Sequence, residues 1–517
     1  MNAVATTAGS ATLRRALLTI CTMSATIMQA LDTTIANVAL PYMQGSLSAS
    51  LDQVNWILTS YIVAAAIMTT PIGWVSDRFG RKKLFVVCVA GFTFASFLCA
   101  LAQNIEQIVV YRLLQGMFGA ALVPLSQSVM LDAYPVEQRA SAMSIWGTGI
   151  MLGPIMGPTL GGWLTEMYSW HWVFLINLPI GILTVVGLLL FMDETKPRTH
   201  LRFDWFGFVA LAVGIGALQL MLDRGEQVGW FDSTEIVLEA IISVAGFYLF
   251  FAHSLTTPEP FVRFAIFKDR NFIGGVIFMA VMGVALFATM AVVAPFMTVM
   301  QGYPIITAGA LLATRGIGTL IGMMAVGRLL KHLEPRYFVL TGLVIIAATL
   351  HEMIGFTADT SPRTMAIVGV IQGFGFGLVF IPLNTVAFVS LPAHLRTDGT
   401  AMLTLVRNVG SSVGISIVIA NLSRTTTLMH ARFAEYVTPF NDALQAPDIA
   451  RVLDLSTDVG RALADNLITQ QAALVAYSND FRLLMWLTIA SMPFVFILGM
   501  MHKRPYMPSR VPVHAME

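Results

Sequence analysis

Apolar stretches of roughly 20 residues or more alternate along the chain with short polar breaks. They fall at about 17–41, 53–75, 84–103, 108–130, 140–165, 172–192, 205–222, 236–254, 272–299, 307–330, 337–357, 364–390, 399–423 and 481–501. A bilayer core about 30 Å thick is crossed by roughly 20 helical residues at about 1.5 Å each, so each stretch predicts one spanning helix, fourteen in all. The first follows Arg14 and Arg15 and runs to about Tyr42 with Asp32 inside it. That is longer than the apolar region of a signal peptide, so it is read as a retained span.

Composition agrees. Of 517 residues, 56% are apolar and only 11% are charged, whereas soluble domains carry about 25% charged residues, so a water-soluble or disordered chain is excluded. A net charge of +1 offers no bulk attraction to nucleic acid. Cys21, Cys88 and Cys99 lie inside apolar segments without metal-ligand spacing and read as small core residues. There is no Walker sequence GxxxxGK[ST], catalytic triad or metal cluster, and Gly373-Phe374-Gly375-Phe376-Gly377 lies inside a span without dinucleotide context. The expectation is an all-α polytopic membrane protein that is not an enzyme and holds no cofactor.

The cations are unevenly placed. One set of short loops and both chain ends hold Arg14, Arg15, Arg78, Arg81, Lys82, Lys83, Arg139, Lys196, Arg198, Arg202, Arg263, Lys268, Arg270, Arg328, Lys331, Arg336, Arg396, Lys503, Arg504 and Arg510; the short opposite loops hold only Arg224 and Arg363. Cations in short loops mark the inside, which predicts cytoplasmic termini. One opposite segment, about 424–480, is long and polar and holds Arg424, Arg432, Arg451 and Arg461. Within it Ile449, Val452, Leu453, Val459, Leu463 and Leu467 recur at near-helical spacing, predicting an amphipathic helix. It would either cap the bundle mouth or dock another protein.

An internal repeat organises the spans. Gln115-Gly116, Pro124-Leu125, Pro135, Arg139 and Ala142-Met143 recur about 257 residues later as Gln372-Gly373, Pro382-Leu383, Pro392, Arg396 and Ala401-Met402. The chain therefore divides into a six-helix half at 1–192, two inserted helices at 193–271 and a second six-helix half at 272–517 that includes the 424–480 loop. Parallel halves of this kind build many secondary transporters, with the site between them near the midplane. The symmetry is broken where Arg112 meets Gly369, and the ninth span has no charged residue to match Asp32.

Those departures carry the candidate chemistry. An ionised carboxylate at mid-span costs about 2.5–3.5 kcal/mol on insertion scales, so Asp32 needs a wet cavity or a partner. Arg112, always charged and inside the fourth span, is that partner; the pair is either a structural lock or a proton-coupling device. Gly149, Gly153, Gly157 and Gly161 recur every fourth residue, joined by Gly162, Pro154 and Pro158. This spacing gives a plain packing face or a tight, kinked seam along which the halves rock. The second-to-third loop holds Gly73, Asp77, Arg78, Gly80 and Arg81, an acid among cations in a glycine-shaped turn. Gln115, Arg315 and Arg407 are further cavity candidates; Glu239 and Glu352 lie near span ends, where snorkelling serves them, and His351 is a further ionisable group inside a span.

In combination these motifs resemble the major facilitator superfamily, specifically its fourteen-span drug/proton antiporters of the EmrB and QacA type. Gly73 to Lys83 resembles the gating-loop signature, Arg112-Leu113-Leu114-Gln115-Gly116 the proton-coupling signature, Gly149 to Gly162 the antiporter signature, and Leu31 to Pro41 the first-span signature. Leu218 to Gly225 followed by Trp230-Phe231 is similar to the EmrB branch. The resemblance implies a major facilitator fold, proton-driven export of hydrophobic or amphipathic toxic compounds, and an inner membrane location. It also implies a periplasmic EmrA-like adaptor and a TolC-like outer-membrane channel as partners. A proton-coupled uptake symporter and a non-transporting receptor or scaffold are the alternatives.

Overall fold

A computed structural model describes residues 2–135, 138–195, 197, 202–257, 260–330, 333–438, 441 and 453–497. Lys196, Arg198, Lys331, Ile449, Arg451, Val452, Lys503, Arg504 and Arg510 lie outside the described residues, which contain helices and no strand.

Each of the fourteen apolar segments falls on a helix. In chain order these are α1 (Asn2–Ser46), α2 (Leu51–Thr69, continued past a 58° bend by Ile72–Phe79), α3 (Arg81–Ala100), α4 (Ile105–Ala133), α5 (Arg139–Met167), α6 (Trp172–Phe191) and α7 (Trp205–Arg224). They continue as α8 (Thr234–Thr256), α9 (Arg270–Met300), α10 (Ile305–Leu329), α11 (Pro335–Ile354), α12 (Pro362–Val386), α13 (Arg396–Ala434) and α14 (Asp458–Ser491). Ten of them, or eleven with bent α2, are long and apolar enough by themselves to cross a membrane. The other three, α1, α5 and α14, are diluted by Thr and Asp, by Gly, and by a polar first half.

The region from 424 to 480 is not the loop the sequence suggested. α13 continues to Ala434 and α14 begins at Asp458, where the Thr457 side chain caps it by accepting from Gly460 N at 3.0 Å. The 39 residues of α13 make about 58 Å at about 1.5 Å each, well beyond a core about 30 Å thick. α13 and α14 thus form a long antiparallel pair, tied by Asn421 Nδ2 donating to Asp480 Oδ1 at 2.7 Å and by His430 against Asp465 at 3.0 Å. Val459, Leu463 and Leu467 are exposed on α14, while Leu453 precedes the helix, so the single amphipathic helix expected over 449–467 does not form as such. Likewise the last span begins well before residue 481.

Helix α5 joins the two halves. On one side Gly153 and Gly157 let it pack tightly on α1, with Thr34 Oγ1 donating to Gly153 O at 3.0 Å. On the other, Ser144 Oγ donates to Met323 O of α10 at 2.7 Å, and Ile155 packs on Gly316. The four-residue glycine seam therefore faces α1 of its own half, and α5 runs as one helix from Arg139 to Met167. Fully buried Trp146 stacks on Phe380 of α12 with centroids 6.3 Å apart and donates to Ser126 Oγ at 2.8 Å, so the apolar core continues across the half–half boundary. The inserted helix α7 bridges the halves from outside. Its Gln219 Nε2 reaches Ser412 Oγ at 2.7 Å, and its Asp223 accepts from Thr59.

A Cβ added at Gly153 would collide with the carbonyl of Ala30, whereas one at Gly149 would meet Ile27 Cγ1 at 3.4 Å. Gly153→Ala is therefore expected to destabilise the purified protein by about 1–3 kcal/mol, and Gly149→Ala to be tolerated. Thermal unfolding of both variants checks this; equal effects would contradict the tight crossing.

Candidate functional site

Asp32 on α1 and Arg112 on α4 are both fully buried, and Arg112 Nη1 donates to Asp32 Oδ2 at 2.6 Å. Gln115 stands three residues on, on the same face of α4. It accepts from Arg112 Nη1 at 2.8 Å and donates from Nε2 to Asp32 Oδ1 at 2.8 Å, closing a three-membered ring. Asn177 of α6 adds a donor to Asp32 Oδ1 at 3.3 Å and another to Ser96 Oγ at 3.0 Å. Arg112 Nε donates to Ile57 O at 3.1 Å, and its guanidinium lies 4.2 Å from the Tyr61 ring centroid. Five helices of the first half thus converge on one carboxylate. Asn177 and Tyr61 were not singled out from sequence; a lone amide inside span 172–192 was the available signal.

Such a pair is costly to break. Removing one partner of a buried ion pair costs about 3–5 kcal/mol because the other charge is left uncompensated. Protonating Asp32 removes its charge while keeping its hydrogen-bonding atoms, so it loosens the hold on Arg112 without emptying the site.

A second cluster joins the halves at the α2–α3 turn. Asp132 at the end of α4 pairs with Arg81 from the first half and Arg396 from the second. Asp77 pairs with Arg263, which also lies 3.5 Å from Asp398. Burial lowers the pKa of Arg263, but Asp398 and Asp77 outweigh it and leave a net rise. Gly73 has no room for a Cβ beside Asp398, and Gly80 turns the chain at φ +91°, a conformation that favours glycine. Deeper on this face Gln127 Nε2 donates to Asn384 Oδ1 at 2.7 Å, and the Ser128 and Thr397 hydroxyls lie 3.1 Å apart. Arg78 has a buried Nη1 without a partner and joins no ion pair among the described residues.

The second half holds different charges. Arg315 is 6% exposed; its guanidinium lies 4.7 Å from the Phe376 ring centroid, and its Nη2 donates to Leu286 O at 3.3 Å. Arg407 is half-buried and reaches Asn408 Oδ1 at 3.4 Å. Neither pairs with a carboxylate among the described residues. Gln115 thus belongs to the ion-pair ring, apart from Arg315 and Arg407. Glu352 is exposed, as snorkelling requires, and so is His351. Asp480, which sequence placed in a loop, is fully buried on α14 with one oxygen unpartnered. Cys21, Cys88 and Cys99 are buried free thiols.

A bundle of apolar helices with a buried ion pair inside its first half, and with charges joining the two halves at one face, suits a membrane transporter. The family model of the Major Facilitator Superfamily matches residues 22–415. The chain is 33% identical over 476 residues to the fatty acid resistance protein FarB of Neisseria gonorrhoeae, covering 92% of this chain and 94% of that protein. It is 33% identical over 438 residues to the multidrug export protein EmrB of Escherichia coli K12, covering 83% and 84%. A bacterial homologue of the human lysosomal transporter Spinster, inward-facing and occupied, shares the fold with TM-score 0.55 at 17% identity over 94% of this chain and 96% of that one. The chain belongs to the major facilitator superfamily, as an efflux transporter of the EmrB type.

Oxidative crosslinking tests the closed face. A Ser128→Cys/Thr397→Cys double variant is expected to crosslink readily, and adding Asp132→Asn, which weakens the hold on Arg81 and Arg396, to slow the reaction several-fold. An unchanged rate would show that these ion pairs do not hold the halves together.

Proposed function

We propose that the chain exports hydrophobic or amphipathic toxic compounds in exchange for protons, as the inner-membrane subunit of a tripartite pump. The observation that carries this reading is the fully buried Asp32, held by Arg112 at 2.6 Å with Gln115 and Asn177 around it. A proton arriving at Asp32 frees Arg112; a substrate arriving at the resettled site favours proton loss. One proton at roughly 150 mV supplies about 3.5 kcal/mol, comparable to the about 3–5 kcal/mol needed to break a buried pair. The same proton could sustain a substrate gradient of about a few hundred-fold.

Cation-rich short loops orient both termini and the Asp132 and Arg263 cluster toward the cytoplasm. In that orientation this conformation is closed on the cytoplasmic side, and opening requires those ion pairs to part. The relatives' names, a fatty acid resistance protein and a multidrug export protein, support hydrophobic cargo. The helical pair α13–α14 then stands in the periplasm, with Val459, Leu463 and Leu467 exposed where an EmrA-like adaptor leading to a TolC-like channel would dock.

Proteoliposomes loaded with a pH indicator test the exchange. Wild-type protein is expected to move protons opposite to an amphipathic dye, and Asp32→Asn to abolish that flux while the protein stays folded. Proton movement in the same direction as the dye would indicate uptake, and an unaffected Asp32→Asn would remove the proposed role of Asp32. Changing Val459, Leu463 and Leu467 to Ser is expected to abolish co-purification with the adaptor and leave vesicle transport intact; undiminished co-purification would defeat the docking surface.

A further inference from the structure

We propose that the second half binds the acid group of an amphipathic anion, with Arg315 as its cation. This deepens the export reading and rests on it. The repeat supplies the first argument. Arg112 and Gln115 of the first half correspond to Gly369 and Gln372 of the second. The guanidinium missing at Gly369 is supplied by the neighbouring helix: a Cβ on Gly369 would lie 3.9 Å from Arg315 Cβ. Gln372 is fully buried, and its Oε1 has no partner. The carboxylate alone has no counterpart, because α9 carries no Asp or Glu.

The local chemistry agrees. Arg315 is 94% buried, and its Nε has no hydrogen-bond partner. Its acceptor among the described residues, Leu286 O, lies in a π-helical turn of α9, Val284–Ala288, and a carbonyl does not neutralise the charge. A guanidinium offers a planar fork that suits a carboxylate, and Phe376 and Leu286 provide apolar surface for a hydrocarbon tail. The position suits coupling as well. Gly316 packs on Ile155 of α5, the same turn whose Gly153 and Gly157 pack on α1 beside Asp32. The two charged sites therefore flank one helix at one level, one complete with its carboxylate and one lacking it.

Equilibrium binding of radiolabelled decanoate and of neutral decanamide to the purified protein in nanodiscs tests this. Wild-type protein is expected to prefer decanoate by about tenfold or more. Arg315→Gln is expected to bring the two affinities together while decanamide binding persists, and Arg315→Lys, which keeps the charge and loses the fork, to give an intermediate ratio. A structural role alone would change both ligands equally. No preference in wild type, or an undiminished preference in Arg315→Gln, overturns the proposal; if Arg315→Gln does not fold, the wild-type and Lys ratios decide. Decanamide-driven proton release, measured alongside, reports on the export reading separately. Its loss in wild type would sink that reading, whereas proton release without anion preference would sink only the role of Arg315.

Discussion

The account depends on one constraint: a carboxylate placed where no water reaches it must be neutralised by a cation or by a proton. Asp32 Oδ2 accepts from Arg112 at 2.6 Å in this structure, and its Oδ1 accepts from Gln115 and Asn177. The two ways of neutralising Asp32 exclude one another, because a protonated acid no longer holds the guanidinium as an ion pair. On the proposed export reading this makes a two-state device, whose switching energy of about 3–5 kcal/mol is comparable to what a proton gradient delivers.

On the same reading, α5 is the element that would carry the switch between the halves. Its glycines bring it against α1 within a turn of Asp32, and its opposite side carries Ser144 and Ile155 against α10. A shift of α1 therefore reaches the second half through direct packing. At the α2–α3 turn the halves are held by exposed or half-exposed charges, chiefly Asp132 between Arg81 and Arg396. Such pairs are individually weak, which on the export reading suits contacts that form and part.

Much of this was legible in the sequence because lipid makes charge informative. Asp32 and Arg112 stood out as ions inside apolar runs, and the repeat showed that symmetry did not require them. The α2–α3 turn was equally visible, since Gly73 and Gly80 mark places where backbone must come close or turn with positive φ. What sequence missed were neutral groups and helix ends. Asn177 and Tyr61 join the site through geometry that an apolar count does not register. The 424–480 region reads as polar loop because helices leaving a membrane become polar, yet α13 and α14 continue by pairing with one another through Asn421–Asp480 and His430–Asp465. The glycine seam was seen, but its facing partner, α1 rather than the other half, depends on helix rotation that spacing does not fix.

The central claim is that substrate and proton compete through Asp32. Calorimetric titration of a neutral amphipathic ligand into the purified protein, repeated in buffers of different ionisation enthalpy, counts the protons released on binding. The account predicts about one proton released per ligand by the wild type at a pH where the free site is protonated, and none by Asp32→Asn. Release of the same number by both proteins would contradict it.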